Sequence, residues 1–392
     1  MSLQPMFARE LVDTAEHHPA LREAVGRLAA SFGRKYYQEV VAADAKPKEL
    51  WQALADAGYL GAHMPEAYGG SGGGLGDLNI VIEETAAQGC PLLSLVISSI
   101  TAPIVSAFAT EAQKQAWLPR LADGTGKMCF AITEPDAGSN THRIKTEARA
   151  DGDGWILSGQ KYWTSDIDDS QAVLVVARDG EPDERGRAPL SLFVVPTDAP
   201  GLSFQPIPAA LCCPEKQFTT FFDQVRLGPE SLIGTRGKGL QQVFVGLNPE
   251  RVSAAAINNG IARYALHQAV QYANTRKVWT DTIGTHQGVA HPLAEAYAAV
   301  QQARLMTSRA ADLYDAGRDA AEAANMAKFA AAESSLKALD QAIQVHGGNG
   351  FALEYGLADL WFIARLHRTA PVSREMILNH IAIHSLGLPK GY

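Results

Sequence analysis

Apolar residues recur at three- and four-residue intervals through the first third of the chain, give way to short strand-like runs in the middle, and return to helical spacing toward the end. The first region predicts helices over segments such as 20–41, 47–57, 78–88 and 111–121, where few β-branched runs interrupt the period. From about Lys127 the period changes. Residues 148–157 carry Asp151-Gly152 between two arms and predict a hairpin; 172–176, 190–195, 202–207 and 217–225 predict strands set off by Pro and Gly. After Gly239 the segments 250–274, 286–316, 319–346 and 371–386 are Ala-rich and lightly charged, as expected of helices packed against one another. The order helix, strand, helix predicts an α+β chain of three domains, 1–126, 127–236 and 237–392.

A run of glycines, Gly69-Gly70-Ser71-Gly72-Gly73-Gly74-Leu75-Gly76, lies between two of the predicted helices. It lacks a preceding strand and a following Lys-Ser or Lys-Thr, so it reads as an interhelix turn and not as a nucleotide loop. The 392 residues exceed one comfortable core, and 46% hydrophobic with 19% charged is ordinary for a globular enzyme. The net charge of −8 argues against nucleic acid or an anionic membrane surface as partner. Cys90, Cys129, Cys212 and Cys213 show no metal-ligand spacing, so no metal is expected and a reducing cytoplasm fits. No apolar run is long enough to span a membrane, and residues 1–10 lack the flank and core of a secretory leader.

Candidate chemistry concentrates in Phe130 to Ser139, FAITEPDAGS, and in Gly159 to Ser165, GQKYWTS, about thirty residues later. Thr133 and Ser165 supply hydroxyls, Trp163 a flat stacking face, and Pro135, Gly138 and Ser139 a tight turn whose N–H groups can approach an anion or a carbonyl. Read alone, the pair is also a strand-turn-strand hairpin with a buried Trp. The two segments resemble the flavin-facing segments of the acyl-CoA dehydrogenase family, a TEP turn and a W-x-[ST] strand end. Further matches follow in order: the PE-x-YGG turn at the glycine run, Arg276 to Trp279 with His286-Gln287 at the R-x-x-F and HQ positions, and Gln344 to Gly350 at the Q-x-x-GGNG turn.

The resemblance implies an N-terminal helical domain, a central β-barrel or sandwich and a C-terminal four-helix bundle. It further implies FAD as cofactor, bound by Phe130, Ile132, Thr133, Gly138, Ser139, Trp163 and Ser165 at the ring. Arg276, Trp279, Gln287, Gln344, Gly347 and Gly348 would meet the diphosphate and adenosine of a neighbouring subunit's flavin, so a homotetramer is implied. Ser373 and Glu375 fall where the family has a Thr and a Gln or Glu near the cofactor.

The chain departs from the family at its usual base. Aligning Pro371 to Met376 with the EGT-x-[QE]-I segment places Pro371 or Ala370 where most members carry the catalytic Glu. Leu247-Asn248-Pro249-Glu250-Arg251 instead resembles the L-D-x-ER segment of the isovaleryl-CoA and long-chain branches, which makes Glu250 the expected base. Ser139, Asn248 and Arg251 would contact the acyl-CoA. The plain reading of the same residues is a helix start with Asn248 as N-cap and Pro249 at its first position.

The resemblance thus implies α,β-dehydrogenation of an acyl-CoA to a trans-2-enoyl-CoA, with electrons passed to an electron-transfer flavoprotein and a branched or bulky acyl group accommodated near Pro371. A flavin oxidase or oxygenase, and a catalytically silent flavin-binding paralogue, are the alternatives on the same scaffold.

Overall fold

A computed structural model describes residues 19–184 and 187–391. The leader reading falls on residues 1–10, outside the described residues. The N-terminal part consists of α1 (Pro19–Ala30), α2 (Gly33–Ala42), α3 (Lys48–Asp56), α4 (Leu75–Ala87), α5 (Leu93–Phe108) and α6 (Glu111–Ala122). The single helix expected over 20–41 is broken at Phe32-Gly33, where Gly33 takes φ +72°, a conformation that only glycine adopts readily. α5 is apolar nearly all round, which hid its period; it is buried between α7 (Gly239–Thr275) and the first strand.

The glycine run ends at the start of α4, and the N–H groups of Leu75 and Gly76 are already taken by the Asp315 carboxylate at 2.7 and 2.9 Å. No free N-terminus is left there for a phosphate, in keeping with the turn reading.

The middle part is one eight-stranded sheet of β1 (Met128–Ala131), β2 (Glu147–Asp151), β3 (Gly154–Ser165), β4 (Ala172–Arg178), β5 (Leu190–Pro196), β6 (Leu202–Pro206), β7 (Gln217–Leu227) and β8 (Leu232–Ile233). Seven strands follow the order β6-β7-β3-β2-β4-β5-β8. The hairpin at Asp151-Gly152 is β2–β3, with Gly152 at φ +64°. β1 pairs in parallel with β4, so the TEP segment and the Trp163 strand are not two arms of one hairpin.

The C-terminal part packs α7 against α8 (Gln287–Asp315) and α9 (Ala321–His346), with a small hairpin of β9 (Lys277–Val278) and β10 (Asp281–Thr282) between α7 and α8. The helix expected over 371–386 is present as α11 (Arg374–His380) running directly into a π-helical turn, Ile381–Ser385; a further short helix, α10 (Trp361–Leu366), precedes it. The helix expected from residue 250 begins eleven positions earlier, so Asn248 is not an N-cap and Pro249 lies inside α7. A proline there cannot bond the carbonyl four residues back. That carbonyl, Val245 O, accepts instead from the Tyr314 hydroxyl of α8 at 3.0 Å.

One core joins residues of α1 to α5 with α7, α8 and α9, and two smaller ones lie on either side of the sheet. At the main junction Arg22 of α1, Glu83 and Glu84 of α4, Arg263 of α7 and Arg304 of α8 form a buried network with contacts of 2.5–3.4 Å. Burial opposes ionisation of Glu83, yet Arg304, Arg22 and Arg263 hold its carboxyl well below the ordinary range.

Candidate active site

β1 carries Phe130 to the sheet edge and delivers Ile132 and Thr133 into a turn closed by a bridge between Glu134 and Ala137. Phe130, Ile132 and Thr133 are each partly buried. Phe130 and Ile132 pack on the same apolar cluster as Leu247 of α7, so the turn and the middle of α7 border one region. The Thr133 carbonyl accepts from Tyr162 N at 2.9 Å, which ties the turn to β3. Among the described residues, the N–H groups of Thr133, Gly138 and Ser139 have no hydrogen-bond partner. Nothing lies within 4 Å of where a Gly138 side chain would begin.

Within β3 the register against β7 shifts between Lys161 and Thr164, so that two residues face one. This bulge re-aims a side chain. Trp163 takes φ +60° and is turned out, 44% exposed, while Lys161 and Thr164 on either side are buried. An aromatic residue in the left-handed region carries strain, and such strain gathers at functional positions. Ser165 Oγ donates to Gln217 Oε1 at 2.8 Å, and Thr164 Oγ1 is buried without a partner.

The second set of expected cofactor residues gathers at one end of the helical bundle. Arg276 ends α7, Trp279 sits at the tip of the β9–β10 turn at 91% exposure, and Gln287 opens α8. Gln344 lies in the last turn of α9, which stops at Gly347 with φ +58°. Trp279 and Gln344 line one groove of about 280 Å³ with His286 and Gly288 on either side of Gln287. The space beside Gly347 and Gly348 is open, leaving their backbone accessible. Arg276 has no ion pair among the described residues.

Glu250 lies one residue past Pro249 on α7, with no hydrogen bond or close ion pair among the described residues. Burial pushes its carboxyl up to about 7, opposed by the charges of Arg251 and Lys328. Arg251 Nη1 donates to Asn248 Oδ1 at 2.5 Å, a bond within one turn of α7, and its Nε is buried without a partner.

No carboxylate stands at residues 370 or 371. Lys328 of α9 reaches that segment: its ammonium, 1% exposed, donates to the carbonyl of Val372. Burial draws Lys328 down to about 8 against the pull of Glu250, and His367 beside it is driven down to about 3 by burial and by the Lys328 charge. Ser373 is the N-cap of α11, accepting from Met376 N at 3.2 Å, and Glu375 is exposed in that helix's first turn.

Sequence reasoning missed Lys328. The signal was available, because Ala324, Ala327, Ala331 and Ala332 flank it at helical spacing and all are buried. A lone lysine on such a face must be buried with them.

Family models match almost the entire chain: the acyl-CoA dehydrogenase N-terminal domain over residues 15–125, its middle domain over 129–225 and its C-terminal domain over 237–386. The chain therefore belongs to the acyl-CoA dehydrogenase family, whose members are FAD-dependent oxidoreductases. It is 52% identical over 381 residues to the acyl-CoA dehydrogenase FadE12 of Mycobacterium tuberculosis, covering 96% of this chain and 98% of the relative. Among solved structures it resembles an acyl-CoA dehydrogenase from Geobacillus kaustophilus, with a TM-score of 0.88 at 26% identity over 96% and 99% of the two chains. The FAD complex of PigA is similar too, with a TM-score of 0.87 at 25% identity over 94% and 97%.

The residues fit such a cofactor. N–H groups with no partner among the described residues line an open turn beside an outward tryptophan, and at the end of the helical bundle stand an arginine with no ion pair among the described residues, a groove lined by Trp279 and Gln344, and accessible glycine backbone at Gly347 and Gly348. Those are the donors, stacking face and cation that a flavin ring and a diphosphate require.

Proposed function

We propose that this chain dehydrogenates an acyl-CoA thioester at its α and β carbons, giving a trans-2-enoyl-CoA, with Glu250 as the base. The observation that carries this reading is a partly buried carboxylate at Glu250, with no hydrogen-bond partner among the described residues, in a chain whose residues 370 and 371 offer none. A carboxyl pushed up to about 7 is a stronger base than a solvated glutamate and still ionises near neutral pH. FAD, when bound, supplies the acceptor for the β-hydrogen as hydride.

The surrounding residues take the roles that the resemblance to the family gives them. Phe130, Ile132, Thr133, Gly138, Ser139, Trp163 and Ser165 hold the flavin ring; Ser139, Asn248 and Arg251 meet the thioester and the CoA arm. Arg276, Trp279, Gln287, Gln344, Gly347 and Gly348 hold the diphosphate and adenosine of a flavin in a second subunit of a homotetramer, with Ser373 and Glu375 nearby. Pro371 leaves room for a branched or bulky acyl group, and an electron-transfer flavoprotein reoxidises the enzyme.

Glu250→Gln tests the assignment, since the amide keeps the shape and removes the base. Anaerobic mixing with acyl-CoA is expected to bleach the flavin about a thousandfold more slowly than in the parent, with acyl-CoA binding retained. Bleaching at near the parental rate would move the base elsewhere.

A further inference from the structure

Lys161 is one of the largest side chains with no access to solvent, and neither base nor substrate contacts explain it. It lies on β3 immediately before the bulge that turns Trp163 outward. Its ammonium donates to two acceptors across the sheet, the carbonyl of Ile132 and Glu134 Oε1, each at 2.9 Å. Glu134 is fixed in turn by Thr146 N on Oε1 at 2.9 Å and Lys145 N on Oε2 at 2.6 Å. Burial opposes ionisation of Glu134, but Lys161 and these N–H groups hold its carboxyl below the ordinary value. The two acceptors of Lys161 therefore bracket Thr133.

The peptide unit between Ile132 and Thr133 has its carbonyl on one side and the Thr133 N–H on the other. The carbonyl meets a buried cation; the N–H has no partner among the described residues. A cation on the carbonyl oxygen draws electron density through the amide and makes the opposite N–H a stronger donor, an effect that low polarity around the pair enlarges. The ion pair offsets only part of this, because the ammonium touches the carbonyl directly while Glu134, which also accepts from Thr146 N and Lys145 N, acts on it from beyond the ammonium.

We infer that Lys161 is a positioning residue that fixes the Ile132–Glu134 turn from behind and, through the 132–133 peptide, strengthens the Thr133 N–H as a donor to the flavin, raising the reduction potential of the bound cofactor. The inference rests on the flavin reading of the Thr133 turn. A stronger donor favours the electron-rich reduced ring over the oxidised one, so the charge of Lys161 tunes how readily substrate electrons are taken.

The test is the midpoint potential of the FAD-loaded protein, measured by spectroelectrochemistry for the parent, Lys161→Met, Lys161→Gln and Lys161→Arg. The neutral Met and Gln variants are expected to shift to more negative potential, while Arg stays nearer the parent. Gln retains an N–H for the Ile132 carbonyl, so it reports on charge if Met no longer binds FAD. Unchanged potential in a flavin-loaded neutral variant overturns the inference. Loss of FAD by both neutral variants with retention by Arg supports it; loss by all three reduces Lys161 to a packing role. A parent protein that takes up no FAD sinks the flavin reading itself, a result distinct from any of these.

Discussion

Burial sets the character of single residues at this site. Glu250, held up to about 7, must be ionised to accept a proton, so the rate of flavin reduction by acyl-CoA is expected to rise with pH through an inflection at about 7. Arg251 and Lys328 favour the ionised form; Lys328→Met should therefore move that inflection to higher pH, while Glu250→Gln removes it. Stopped-flow reduction across pH about 5 to 9 checks both statements, and an inflection left in place by Lys328→Met would separate the lysine from the base. The departure at Pro371 and the candidate at Glu250 came from the resemblance of two short segments to the family's motifs. The surroundings of Glu250 could not be read that way, because they depend on α9 holding Lys328, 78 residues along the chain from the carboxylate it attracts, against the Val372 carbonyl.

Elements were legible where period and punctuation agreed. The hairpin at Asp151-Gly152 and the helix α6, opened by Thr110 with Gln113 reaching back to its N–H, are local patterns that tertiary structure had no reason to override. The start of α7 misled because Asn248-Pro249 is a good opening signal, whereas tertiary packing runs the helix through it. The Tyr314 hydroxyl makes this tolerable by serving the carbonyl that Pro249 leaves free. Tyr314→Phe is accordingly expected to lower stability by about 1–3 kcal/mol, the range for an unsatisfied buried acceptor. In a Pro249→Ala background, where the backbone N–H returns, the same change should weaken stability much less. Urea or thermal melts of the four proteins decide it; equal losses in both backgrounds would mean the hydroxyl does not serve that carbonyl.

For the whole molecule, a 91% exposed tryptophan beside an open groove is a poor surface residue for a monomer. A tetrameric mass by light scattering at micromolar concentration is expected, and a monomer would remove the shared-cofactor assignment. The buried network of Arg22, Glu83, Glu84, Arg263 and Arg304 bears on how the chain reaches that state. Its charges come from α1, α4, α7 and α8, so the pairs it makes join elements far apart in the sequence. An N-terminal fragment made alone would bury two glutamates lacking two of their three arginines, and a C-terminal fragment would bury two arginines with no acid from α4. Homology divides the chain into three, but this network joins the outer two portions: a ribosome has to reach α8 before the acids of α4 can meet those arginines.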